Sequence, residues 1–148
     1  MTETSTPIKC LIVEDNIASI DALKGLFIQI SFLELVAVCN SAMEAIEFLR
    51  FNRIDLIISD IDMHGMDGLS LVKMLKGKYQ FILVSGHRKE QAVDAFDLGV
   101  VDYIWKPVTM DRFLQAVMAY QDRINGETVR RMNIQPALTN TEFQEEIP

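Results

Sequence analysis

Short apolar runs alternate with amphipathic stretches five times along the chain. The runs at 8–13, 33–38, 54–59, 81–84 and 101–104 are apolar nearly throughout, as strands covered on both faces must be. Between them, apolar residues return at helical spacing. Ile17, Ile20, Leu23, Leu26, Phe27 and Ile30 form one stripe, with Ser19 and Asp21 facing the other way. A second helix is predicted over 42–51 through Ala42, Ala45, Ile46 and Leu49, opened by Ser41 and Glu44 as a capping box. A third is predicted over 69–76 with Asp67 as N-cap, and a fourth over 89–98 ending at Gly99. The fifth, over 111–123, buries Phe113, Leu114 and Val117 and is expected to stop near Asn125-Gly126.

Five βα units of this length imply an α/β fold, a five-stranded parallel sheet with helices on both faces and right-handed crossovers. The expected strand order is 2-1-3-4-5, the flavodoxin-like doubly wound arrangement, with its switch point between the first and third strands. The expected organisation is an N-terminal tail at 1–7, one domain over 8–123, and a linker or tail over 124–148. In that last stretch, polar composition, Pro136 and Pro148 break the periodicity.

Such sheets bind ligands at the carboxyl ends of their strands, so the residues there carry the chemical information. Asp60 ends the third run and opens a Gly-containing loop, Asp60-Ile61-Asp62-Met63-His64-Gly65-Met66-Asp67-Gly68. Glu14-Asp15 follow the first run and Lys106-Pro107 the last. Three carboxylates gathered at one crevice repel unless a cation neutralises them, and a hard divalent ion such as Mg²⁺ suits an all-oxygen set. Asp15 and Asp60 are the best side-chain ligands, and Glu14 is expected to act through a bound water. Asp60 can also attack a phosphoryl group to give an aspartyl phosphate, with Lys106 supplying a second cation. A cis bond before Pro107 would aim that lysine into the site. Ser85, ending the fourth run, can donate to a phosphoryl oxygen, and Gly86 beside it allows close backbone approach. Strand alternation sets Tyr103 on the face opposite Ile104 and Lys106, its ring bordering the outer surface near the last two helices.

Charge narrows the field. With 21 acidic and 14 basic residues the net charge is −7, which argues against nucleic-acid binding by this segment. No run reaches the length of a membrane span, and residues 1–7 lack a signal pattern. Cys10 and Cys39 sit inside strand patterns without metal or redox spacing, as reduced buried thiols of a cytoplasmic protein would.

Taken together, Glu14-Asp15, the Asp60 loop through Gly68, Ser85-Gly86, Asp102-Tyr103 and Lys106-Pro107 resemble the receiver domain of bacterial two-component response regulators. The match covers about residues 8–122 in the family's order. The resemblance implies that Asp60 is the phosphoacceptor, charged by a sensor histidine kinase or phosphotransfer protein. It further implies that Asp15, Asp60 and the backbone carbonyl of Asp62 hold Mg²⁺, and that Lys106 pairs with the phosphoryl oxygens. Ser85 and Tyr103 are implied to switch together, the hydroxyl moving to the phosphoryl group and the ring turning inward. The reshaped surface over 89–98, 101–105 and 111–120 would then dimerise or release an effector. Segments 95–103 and 111–120 look most like receivers attached to LytTR-type (LytR/AlgR-like) DNA-binding domains, which would place a DNA-binding effector beyond residue 148. Two departures stand out. His64 takes a place where the family usually has proline, and is expected to be a surface residue without a catalytic role. Asp62 and His87 occupy the positions that tune dephosphorylation. Two rival readings share these residues: a receiver-like module that binds partners without phosphorylation, and a haloacid-dehalogenase-type phosphatase built on Asp60-Ile61-Asp62. The order of elements disfavours the second, because that pair normally follows the first core strand.

Overall fold

A computed structural model describes residues 6–75, 77–86 and 90–132. Strands and helices alternate in chain order: β1 (Ile8–Val13), α1 (Ile17–Ile28), β2 (Leu33–Cys39), α2 (Ala42–Leu49), β3 (Leu56–Asp60), α3 (Gly68–Met74), β4 (Gln80–Ser85), α4 (Glu90–Asp97), β5 (Asp102–Trp105) and α5 (Met110–Met132). All strand pairs are parallel and the order is β2-β1-β3-β4-β5, as the sequence predicts. Alternate residues along each strand feed two separate cores. Cys10, Ile12, Leu56, Ile58, Ile82 and Ile104 pack against α1 and α5 through Leu23, Phe27, Phe113 and Val117. Leu11, Val13, Ile57, Leu83 and Tyr103 face α2, α3 and α4 through Ala45, Leu49, Leu71 and Ala95. This two-sided burial is why the strand sequences show no polar alternation. No helix among the described residues is long and apolar enough to cross a membrane.

The predicted caps form. Ser41 Oγ accepts from Glu44 N at 3.1 Å, and the Glu44 carboxylate reaches back to the amide of Asn40, one residue before the cap. Asp67 Oδ1 accepts from Ser70 N at 2.8 Å, and Gly99 takes φ 85° at the end of α4.

Two boundaries differ from expectation. The third strand starts at Leu56 and includes Asp60, which pairs with Val84, so the acceptor carboxylate is carried by the sheet itself. Helix α5 does not stop near Asn125-Gly126 but runs to Met132. Gly126 costs a helix interior only about 1 kcal/mol relative to alanine and does not end one by itself. It is also absent from the positive-φ glycines that would mark a helix end here.

Two arginines of α5 tie the helix to the sheet edge. Arg112 makes a fork on Asp102, at 2.7 and 2.6 Å, and donates to the Tyr103 carbonyl at 3.2 Å. Arg123 donates to the carbonyls of Gly99 at 2.7 Å and Val100 at 3.3 Å, and to Gln80 Oε1 at 2.9 Å. By contrast, Ala95 is the buried side chain of α4 among its described residues, while Val93 and Phe96 are exposed.

Candidate functional site

Strand polarity delivers the site. Parallel pairing of β1, β3 and β4 brings Glu14-Asp15, Asp60 and Ser85 to one edge, and Lys106 arrives from the end of β5. Its amide donates to the Ser85 carbonyl at 2.7 Å, and the Lys106–Pro107 bond is cis, as the sequence suggested.

The Lys106 ammonium spans the acidic cluster. It lies 3.2 Å from Glu14 Oε1, 3.4 Å from Asp60 Oδ1 and 3.1 Å from Ser19 Oγ. Ser19 was expected on the solvent side of α1; instead the first turn of the helix leans over the strand ends and its hydroxyl accepts from the lysine. Asn16, which caps α1 through Ser19 N at 2.9 Å, is the sequence signal that places this turn beside the site. Glu14 is 1% exposed, and its second oxygen accepts from Asn16 N at 3.1 Å.

Ligating oxygens of Glu14, Asp15 and Asp60 lie within 4.8 Å of one another. Asp60 Oδ1 is buried with an ion pair to Lys106 but no aligned hydrogen-bond donor. Three ionised carboxylates against one ammonium leave a double negative charge, and an orphaned buried oxygen calls for a further cation. The all-oxygen donor set fits a hard divalent ion. Burial pushes the Asp60 carboxyl up to about 7, with the charge of Glu14 adding to it and Lys106 pulling the other way. Asp15 is held below the usual carboxylate range, chiefly by its hydrogen bond from the His64 side chain.

The Asp60 shift has a consequence for stability. An unfolded aspartate ionises near pH 4, so between about pH 4 and 7 the folded chain retains a proton that the unfolded chain releases. Stability without divalent ions should therefore fall as pH rises through that window. Asp60→Asn is expected to remove the decline and to be more stable than wild type by roughly 2 kcal/mol at pH 8. Urea denaturation in EDTA across this range checks it, and parallel curves for the two proteins would contradict it.

The remaining candidates fall as follows. Ser85 is buried at the end of β4. Tyr103 is not at the outer surface as expected: it is 4% exposed, packed among Leu83, Ala95 and Val100, with its ring 5.1 Å edge-on from Trp105. The α4 side of the sheet covers a strand position that alternation alone leaves undecided. Asp62 is exposed, and its carboxylate stands outside the three-carboxylate cluster. His87 lies outside the described residues. Gly86 is not the sterically demanding glycine: an added Cβ would meet only Lys106 Cδ, at 4.0 Å. That role falls to Gly68, where a Cβ would stand 2.3 Å from the Asp60 carbonyl oxygen. His64 is exposed as expected, yet it reaches Asp15 Oδ2 with its backbone N–H at 3.2 Å and its ring Nδ1 at 3.0 Å.

A family profile described as the response regulator receiver domain matches residues 10–118. The chain is 34% identical over 106 residues to the transcriptional regulatory protein YpdB of Escherichia coli K12, covering 70% of this chain and 43% of that one. Among solved structures, a response regulator receiver protein from Pseudomonas putida shares 31% identity at a TM-score of 0.68, over 77% of this chain and 98% of that one. The regulatory domain of MrkE from Klebsiella pneumoniae shares 28% identity at a TM-score of 0.69, over 78% and 99%. The chain spans less than half the length of the curated relatives it matches.

Proposed function

The chain belongs to the response regulator receiver domain family, and on that premise we propose that it is a phosphorylation-dependent switch with Asp60 as acceptor. The observation that carries this reading is the Lys106 ammonium set between Glu14 and the buried, under-coordinated Asp60. An Asp60 oxygen attacks the phosphorus of a phosphohistidine on a sensor histidine kinase or phosphotransfer protein. The phosphorus–nitrogen bond breaks, and the leaving imidazole takes up a proton. Lys106 stabilises charge on the phosphoryl oxygens, and the Ser85 hydroxyl donates to one of them. Asp15, Asp60 and the Asp62 carbonyl would hold Mg²⁺, with Glu14 acting through a water. When bound, Mg²⁺ supplies the remaining charge neutralisation on the phosphoryl group. A cleft of about 360 Å³ lined by Ala18, Ala22, Leu23, Pro107 and Val108, with Lys106 in its wall, gives a donor room to approach.

Phosphorylation adds about −1.5 to −2 charge beside Ser85 and biases the surface of α4, β5 and α5. Exposed Val93, Phe96, Trp105 and Met118 on that surface support its use in pairing two copies or in releasing an effector. Asp62 and His87 set the lifetime of the phosphoryl state, and slow self-hydrolysis returns the switch without substrate turnover. We read residues 8–123 as the receiver and 124–148 as the link toward an effector. The relatives of more than twice the matched length, named as transcriptional regulators, support an attached output domain. The 95–103 and 111–120 segments carry the reading of that output as a LytTR-type DNA-binding domain, in a cytoplasmic protein.

Incubation with phosphoramidate or acetyl phosphate, read by intact mass, tests the reading. One phosphoryl adduct that requires Mg²⁺ and is lost in EDTA supports it. Absence of both an adduct and Mg²⁺ binding would favour a module that binds partners without phosphorylation.

A further inference from the structure

Of the three clustered carboxylates, two are fixed by their surroundings. Glu14 and Asp60 are buried, and both pair with Lys106. Asp15 is different: its side chain is 23% exposed, and Lys106 does not pair with it. An exposed carboxylate samples several rotamers, and ordering it on ion binding costs affinity. Here two donors from one residue hold it. The His64 amide, at 3.2 Å, and the ring Nδ1, at 3.0 Å, both fall on Asp15 Oδ2. The His64 ring is fully exposed, so packing does not explain its position.

We infer that His64 is a positioning residue for the divalent-cation site: it clamps Asp15 through Oδ2 and leaves Oδ1 to face the ion. This rests on the proposed role of Asp15 as a Mg²⁺ ligand. The clamp joins the loop after β3 to the loop after β1, so one residue fixes the distance between two ligand-bearing segments. Hydrogen-bonded carboxylate ligands bind metal better because their outer partners orient them, and losing such a partner costs about 10- to 100-fold in affinity. A proline at position 64 would supply neither donor, since it has no N–H and no ring nitrogen. Asparagine at this position would retain both, because its side-chain amide nitrogen sits close to where the imidazole Nδ1 does.

Calorimetric titration of Mg²⁺ into the unphosphorylated chain at one fixed pH tests the clamp. His64→Ala is expected to weaken Mg²⁺ binding about 10-fold, His64→Pro to weaken it further, and His64→Asn to stay near wild type. Thermal melts in EDTA should differ little, because an exposed residue contributes little to the ion-free fold. Equal or tighter binding by His64→Ala, with wild type binding normally, would overturn the clamp and leave the metal site standing; tighter binding would mean that His64 competes with the ion. Failure of wild type itself to bind Mg²⁺ would overturn both.

Discussion

Asp60→Ala is expected to take up no phosphoryl group under conditions where the wild-type chain is fully labelled. The difference is all-or-none because the neighbouring carboxylates are otherwise engaged. Glu14 is bonded to Lys106 and to the Asn16 amide, and Asp15 to His64. Asp60 Oδ1 is the buried carboxylate oxygen left without a hydrogen-bond donor. The variant should remain folded, since removing a carboxylate whose ionisation is disfavoured relieves the native state. Intact-mass spectra of both proteins with Mg²⁺ and phosphoramidate, followed by base treatment to cleave the acyl phosphate, decide the matter. Base-labile label persisting in Asp60→Ala would move the acceptor to another carboxylate, and peptide mapping would find it.

The second large effect concerns the support under that carboxylate. Gly68→Ala is expected to destabilise the chain by at least about 3 kcal/mol and to abolish labelling of the fraction that stays folded. The added Cβ would stand 2.3 Å from the Asp60 carbonyl oxygen, 2.9 Å from Ile61 Cα and 3.1 Å from the Asp60 carbonyl carbon. These are backbone atoms of the acceptor and its neighbour, so no side-chain rotation gives relief. Helix α3 must lift off the strand end, straining the 2.9 Å bond from the Gly68 amide to the Ile61 carbonyl and the Asp67 cap beside it. Gly86→Ala makes the control, because it gains one ordinary contact and should change stability by less than about 0.5 kcal/mol. Urea unfolding of the two variants measures the contrast. Similar midpoints would refute the close approach at Gly68.

Much of this arrangement can be read from residue order alone, for a definite reason. A parallel sheet fixes strand direction, so a polar residue ending an apolar run lies at the shared edge whichever strand carries it. That rule brought Glu14, Asp15, Asp60, Ser85 and Lys106 together before any distance was available. The first strand, Ile8–Val13, and the Ser41 and Asp67 caps follow from equally local signals. What escaped depends on pairs far apart in sequence. Lys106 meets Ser19 across 87 positions, and His64 meets Asp15 across 49. No periodicity encodes either contact. Tyr103 was placed on the correct face of β5, but its burial depends on α4 coming to lie over it. Helix α5 overran its expected end because Asn125-Gly126 resembles a stop signal but does not adopt the backbone geometry of one.

The Arg123 guanidinium grips the carbonyls of Gly99 and Val100, just past the C-terminal end of α4. The helix is thus pinned at the end farthest from Asp60, and beyond that pin Ala95 is its buried side chain among the described residues. A rod held at one end and resting on so little apolar contact swings rather than slides. Its arc is widest at Glu90, the end that follows Ser85 and the phosphoryl site. A displacement of an ångström at that hydroxyl would therefore reach the solvent as a change of helix angle, carried by Val93 and Phe96, with no need to repack the sheet beneath.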